Sequence, residues 1–294
     1  MSPSRDPADT PKGIAAMLAA MGLFTTVDTL IKLTSMGMPL GEMITLRNGI
    51  ASVLILTYAW FTGGVRLPPD APRGVLSWRM VAEMMSTLTF LSALVVLPIA
   101  DVTGIMQFLP LALTAAAAIF LKEPVGWRRW CAAFVGLGGV MLIVPPGAAS
   151  RDPAVLLTFA AIGFVVLRDL TTRRVGANVP TLTLTAMSAV ATLGAGLVLA
   201  PFETWVIPSA TQLAAMTTAA VALLGAYVFI IIAMRTGEIA AVSPFRYSVI
   251  LWAVLSGYVF WGHLPSQQAM LGIAIVVSAG LYTFWREQVR RRGE

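Results

Sequence analysis

The chain predicts an all-α integral membrane protein of ten transmembrane helices, arranged as two inverted five-helix repeats. Three observations carry that expectation. First, 57% of the 294 residues are hydrophobic and only 12% charged, with a mean hydropathy of +0.82, too apolar for an ordinary soluble domain. Second, the apolar residues fall into runs of the length, about 20 residues, that crosses about 30 Å of hydrocarbon. Third, the chain resembles itself. Shifted by 141 residues, Gly22, Asp28, Lys32 and Pro39 meet Gly163, Asp169, Arg173 and Pro180. At an offset of 140, Ile99-Ala100, Val102 and Thr103 meet Ile239-Ala240, Val242 and Ser243; the offset returns to 141 at Pro124 and Pro265 and at Gly139 and Gly280.

The repeats are expected over 13–144 and 154–285, with a disordered tail over 1–12 and a basic tail over 286–294. Each repeat holds five spans, an odd number, so the second enters the membrane from the opposite face. Inverted halves of this kind, with a site near the midplane, are a construction of secondary transporters.

The first span, 13–33, carries Thr25, Asp28, Thr29 and Lys32 as a polar stripe at its outer half, and Asp28 and Lys32 stand four apart, where they can pair. Asp28 is a candidate for the substrate pathway, with that local pair as the alternative. The second, 41–61, shows a polar and small-residue face of Glu42, Thr45, Gly49 and Ser52, with Arg47 deeper. An arginine cannot shed its charge, so Arg47 needs an acid, a carbonyl cluster or an anionic ligand. A salt bridge to Glu83 or Asp28 is one solution.

The third span, 77–97, places Arg79, Glu83, Thr87 and Phe90 on one face. If Arg79 turns to a lipid phosphate or an inside loop, Glu83 is left as an acid in the membrane, available to bind a cation or carry a proton. Such a group costs about 2.5–3.5 kcal/mol even on a lenient insertion scale, so it should face a partner or a wet cavity. The fourth span, 101–121, aligns Thr103, Gln107, Pro110 and Thr114. Its repeat equivalent, the ninth at 239–261, carries Ser243, Pro244, Phe245, Arg246 and Tyr247 in its first turns, with Tyr247 matching Gln107. Each proline removes a backbone donor, a defect tolerated where a helix lines a cavity. Gln107, Arg246 and Tyr247 are therefore candidate cavity residues, beside Glu83, Asp28, Arg47 and Phe90.

The fifth span, 127–144, and the tenth, 268–285, carry Gly136, Gly138 and Gly139 and Gly272, Ala279 and Gly280, which permit close helix contact or a homodimer face. The sixth, seventh and eighth spans are expected at 154–172, 180–200 and 210–233; in the sixth, Asp169 repeats Asp28. Trp252 is the one tryptophan placed deep in a span, where it could face lipid or stack on a flat ligand.

With the N-terminus inside, fifteen Lys and Arg flank the spans on the inner side against Lys32 and Arg151 outside, the asymmetry expected of cytoplasmic loops. Both termini are then cytoplasmic. The same asymmetry explains the +6 net charge without a nucleic-acid partner. One histidine, His263, and one cysteine, Cys131, leave no metal-ligand set, no cofactor motif and no nucleophile-base pair for an enzyme. The expected partners are the bilayer and a small-molecule substrate.

The segments LPLALTAAAAIFLKEPVGWRRW and SPFRYSVILWAVLSGYVFWGHLPSQQ, with the duplicated five-helix halves, resemble the drug/metabolite transporter superfamily, specifically its EamA-type proteins. The likeness covers nearly the whole chain. The family's acidic-Pro connection is kept at Glu123-Pro124, whereas His263-Leu264-Pro265 has His in place of the acid. The run Pro244 to Tyr247 is similar to members that take up S-adenosylmethionine or riboflavin. The resemblance implies a secondary carrier of the bacterial inner membrane moving a small organic metabolite by alternating access. It implies uptake of a ring-bearing cofactor or vitamin, with export of amino acids or related metabolites as the alternative.

Overall fold

A computed structural model describes residues 10–62, 65–120, 127–144, 152–175, 179–235 and 242–292. Eleven α-helices are present among them: α1 (Thr10–Thr34), α2 (Leu40–Thr62), α3 (Arg73–Val96), α4 (Ile99–Met106), α5 (Leu109–Phe120), α6 (Trp127–Ile143), α7 (Ala154–Arg174), α8 (Thr181–Leu199), α9 (Ala210–Arg235), α10 (Val249–Trp261) and α11 (Gln267–Arg292). Short 3-10 turns cover Ala200–Phe202 and Ser243–Ser248. No strand occurs among the described residues. Eight helical segments are long and apolar enough to cross a membrane, among them Pro11–Thr34, Arg73–Val96 and Ile99–Phe120, and Trp130–Ile143 is a shorter apolar helix.

The two proline-marked spans are interrupted as expected. The fourth divides into α4 and α5 at Gln107-Phe108, where the chain tightens through hydrogen bonds from Gln107 N to Gly104 O and from Phe108 N to Ile105 O. Pro110 has no N–H for the Met106 carbonyl, so a regular helix cannot run through this point. The ninth has its 3-10 turn over the Ser-Pro-Phe-Arg-Tyr-Ser run before α10 begins. That helix stops at Gly262, whose φ of +66° costs an L side chain but not glycine.

Two boundaries differ from the sequence expectation. Helix starts at Thr10, inside the tail expected over 1–12, and α11 runs to Arg292 through the tail expected at 286–294. Residues 1–9, Glu123-Pro124 and Ile239-Ala240 lie outside the described residues.

The chain forms two compact units. One comprises residues 1–29, 97–151 and 222–294, the other 30–96 and 152–221. Each takes helices from both sequence repeats. In the first, α6 packs on α11 and α4 on α10; in the second, α3 packs on α7 and α2 on α8. Three of these pairs, α2 with α8, α4 with α10 and α6 with α11, join spans that the repeat makes equivalent.

Glycine sets how closely two of those pairs approach. A Cβ on Gly139 would stand 2.9 Å from the Gly272 carbonyl, and one on Gly272 would stand 2.5 Å from the Gly139 carbonyl. Backbone therefore meets backbone between α6 and α11. Gly41 and Gly196 do the same between α2 and α8, at 2.9 and 2.6 Å from each other's carbonyls. Lipid provides no hydrophobic drive between helices, so such close packing supplies much of their attraction. Gly138 is exposed, with nothing within 4 Å of the same construction, so it takes no part in this crossing.

Polar side chains tie the second unit at its helix ends. The Glu203 carboxylate accepts from Gly41 N at 2.9 and 3.1 Å, capping α2, while Glu42 accepts from Val206 N at 2.9 Å. Lys32 donates to Leu94 O at 2.7 Å, at the end of α3 where carbonyls lack helical partners and carry the negative end of the dipole.

Candidate functional site

In the second unit the sequence places ionisable groups on two apolar helices, α3 and α7, and the fold gathers them into one network with hydroxyls of α7 and α8. Arg79 and Glu83 sit one turn apart on α3. Arg79 Nε donates to Thr172 Oγ1 on α7 at 3.0 Å, and its NH2 donates to Ser188 Oγ on α8 at 2.9 Å. Ser188 Oγ donates in turn to Glu83 Oε2 at 3.1 Å. Arg168 on α7 reaches Glu83 Oε1 at 3.4 Å through NH1, and its Nε bonds Asp169 Oδ1 at 2.9 Å. Arg79 also stands 3.7 Å from Glu83. Two arginines and two carboxylates thus cancel in charge, which is how ionised groups persist among apolar helices.

This arrangement corrects one expectation. Arg79 does not leave Glu83 alone; it is buried and turned inward, because Thr172 and Ser188 offer it oxygens from two neighbouring helices. The Glu83 carboxylate is held by a serine hydroxyl and two guanidinium groups.

Arg47 joins the same neighbourhood by another route. Its Nε donates to Asn48 Oδ1 at 3.2 Å, and Asn48 Nδ2 donates to Thr192 O at 3.1 Å, one turn beyond Ser188 on α8. Arg47 and Asn48 are both buried. The Glu42, Thr45, Gly49 and Ser52 face lies against α8, with Gly196 meeting Thr45 and Gly49 near Leu193. It is a packing face. Phe90 is half-buried two turns beyond Glu83.

In the first unit the interrupted spans hold Gln107, Arg246 and Tyr247. Gln107 folds back, its Nε2 donating to Thr103 O at 3.1 Å. Arg246 and Phe245 are exposed on the 3-10 turn. The Tyr247 phenol rests on Gly280 of α11 so closely that a Cβ there would overlap its hydroxyl. Trp252, one turn into α10, lies over Gly22 of α1, where a Cβ would come 3.3 Å from its Cε2. Asp28 is half-buried on α1. Its neighbour Thr29 hydrogen-bonds Ser256 of α10, and both are buried.

Several residues here escaped the sequence reading. Arg168 and Ser188 close the Glu83 network, and neither repeat offset nor helical spacing connects them to position 83. Arg168 beside Asp169 was the available signal, since an opposed pair within an apolar span invites a third partner. The glycine seats under Tyr247 and Trp252 had a signal too, the glycines themselves, though not their partners.

Residues 11–144 match the EamA-like transporter family. Over 84% of this chain and 83% of its own length, the S-adenosylmethionine uptake transporter of Rickettsia prowazekii (strain Madrid E) is 24% identical. The riboflavin transporter of Rhizobium johnstonii is 27% identical over 73% of this chain and 71% of its own. The pseudopaline exporter of Pseudomonas aeruginosa (strain UCBPP-PA14) is 25% identical over 91% of this chain and 94% of its own. A solved crystal structure superposes with a TM-score of 0.63 at 21% identity, covering 93% of this chain and 97% of that one, a likeness of fold. With its all-helical architecture and repeated membrane-spanning helices, the chain is a multi-pass membrane protein that is similar, over residues 11–144, to the EamA-like transporters of the drug/metabolite transporter superfamily.

Proposed function

We propose that the protein takes up a ring-bearing cofactor or vitamin, such as riboflavin or S-adenosylmethionine, by alternating access between its two inverted repeats. The observation that carries the reading is the 3-10 turn of the ninth span. Phe245 and Arg246 are exposed there, next to Tyr247 anchored on Gly280. An aromatic side chain and a guanidinium together suit a substrate with a flat ring and oxygen acceptors, whether ring carbonyls or a carboxylate. The likeness to the S-adenosylmethionine uptake transporter of Rickettsia and the riboflavin transporter of Rhizobium supports the same substrate class.

Gln107, Arg246, Tyr247 and Asp28 belong to the pathway in this reading, with Glu83, Arg47 and Phe90 contributing from α2 and α3. The excess of Lys and Arg in the inner loops supports cytoplasmic termini. Reporter fusions at each end would read that directly, and an external signal from either would overturn it.

Accumulation of labelled riboflavin and S-adenosylmethionine, in cells without their own uptake routes, tests the substrate. Saturable uptake that falls in Arg246→Ala and Tyr247→Phe is expected. Wild-type protein present in the membrane with no uptake of either compound would refute the reading. Export of amino acids or related metabolites is the second reading, favoured by the likeness to the pseudopaline exporter.

A further inference from the structure

We propose that Trp252 is the specificity-determining residue of this transporter, stacking its indole on the planar ring of the substrate. The inference rests on the ring-bearing substrate class proposed above and assigns a single side chain to its recognition.

The position of Trp252 in its helix is the first argument. The lipid-side face of α10 is marked by Leu251, Leu255, Tyr258 and Val259, all well exposed, with Leu251 at 72%. Ser248, Trp252 and Ser256 follow one another at four-residue intervals along the edge of that face, Trp252 standing seven residues before Val259. Ser256 is buried and bonded to Thr29 of α1, and Trp252 lies against Gly22, so this edge borders α1. Trp252 nevertheless keeps 38% of its surface open.

The chemistry of tryptophan is the second. A lipid-facing tryptophan belongs at the interfacial belt, where its N–H finds water or headgroups. Trp252 is well inside the ninth span, and its indole is placed by Gly22, whose absent side chain leaves room for the five-membered ring at Cε2, Nε1 and Cδ2. One part of the ring is fixed and another is open, as a stacking platform requires.

Ser248 supplies an independent observation. Its hydroxyl is buried, the residue being 7% exposed, and has no hydrogen-bond partner among the described residues. A buried hydroxyl without a partner is costly. One turn from Trp252, it offers a donor and an acceptor to a heteroaromatic ring edge, which carries both.

Riboflavin serves as the probe, because stacking on indole quenches flavin fluorescence. Quenching on purified protein and uptake in cells are compared for wild type, Trp252→Phe and Trp252→Leu, with monodispersity checked for each. Aromatic stacking on a base falls by about ten- to a hundredfold in affinity when the aromatic group is removed. Trp252→Leu is therefore expected to weaken riboflavin binding by at least about tenfold, with Trp252→Phe closer to wild type. Should the leucine variant not be recovered folded, Trp252→Met makes the same comparison.

A wild-type protein that binds riboflavin, with the aliphatic variant binding and quenching equally well, overturns the assignment of Trp252 while leaving the substrate class intact. A wild-type protein that neither binds nor transports riboflavin or S-adenosylmethionine overturns the substrate class, and the stacking role with it.

Discussion

Glu83 on α3 and Arg168 on α7 meet at 3.4 Å, joining a helix of the first repeat to one of the second. Their side chains are 13% and 29% exposed, so solvent screens the pair only in part. Removing one member of a buried pair leaves an uncompensated charge, at a cost of about 3–5 kcal/mol. Arg168's partial exposure puts Glu83→Ala near the lower end of that range. Thermal unfolding of detergent-purified protein should show Glu83→Ala well below wild type and Glu83→Gln between the two, because glutamine can still accept from Ser188. A glutamine variant as unstable as the alanine variant would argue against the hydrogen-bonded geometry.

Proton coupling through Glu83 is a separate matter from its structural role. A serine hydroxyl and two guanidinium groups already occupy the carboxylate oxygens in this conformation. Uptake insensitive to an imposed pH gradient, in wild type and Glu83→Gln alike, is the expected outcome in vesicles. Gradient-dependent uptake that Glu83→Gln abolishes would assign Glu83 a proton.

The glycines separate into those that hold helices together and those that do not. Gly196→Ala would push into Gly41 and Thr45, and Gly272→Ala into the backbone of α6. Overpacking costs about 1–3 kcal/mol, and backbone neighbours yield less readily than side chains. Gly138→Ala and Gly194→Ala have nothing within 4 Å of the new methyl group and should be tolerated. Melting temperatures of the four variants make the comparison; equal values would contradict the crossings described.

In the proposed reading Gly280→Ala acts on the pathway as well as on packing, because the new methyl group would occupy the place of the Tyr247 hydroxyl. Tyr247 must move, and the 3-10 turn bearing Arg246 with it. Transport should fall at least as far as in Tyr247→Phe, while the protein remains in the membrane. Undiminished transport by Gly280→Ala would remove Tyr247 from the pathway.

Glu203 caps α2 with both carboxylate oxygens. Losing an N-terminal cap costs about 0.5–2 kcal/mol. Glu203→Ala should lower stability by that amount without altering substrate affinity, measured by unfolding and by KM together.

Most of the spans were legible because an apolar run of about 20 residues has few alternatives to a membrane helix. The interruptions at Pro110 and Pro244 were legible for a local reason, the missing N–H. The Glu83 network was not, because its members lie 85 and 105 residues apart in the chain and belong to no repeat correspondence. Arg79 shows the difficulty best. Its position near the inner end of a span suggested a lipid phosphate, whereas Thr172 and Ser188 draw it inward. Trp252 was read as facing lipid or a ligand, and the glycine beneath it was visible only in three dimensions.

Exchange in proteoliposomes tests the central claim most directly. Vesicles reconstituted with the purified protein and loaded with unlabelled riboflavin or S-adenosylmethionine are given the labelled compound outside. The account predicts saturable accumulation of label for at least one compound, lost in Arg246→Ala. Correctly inserted wild-type protein that exchanges neither compound would contradict it.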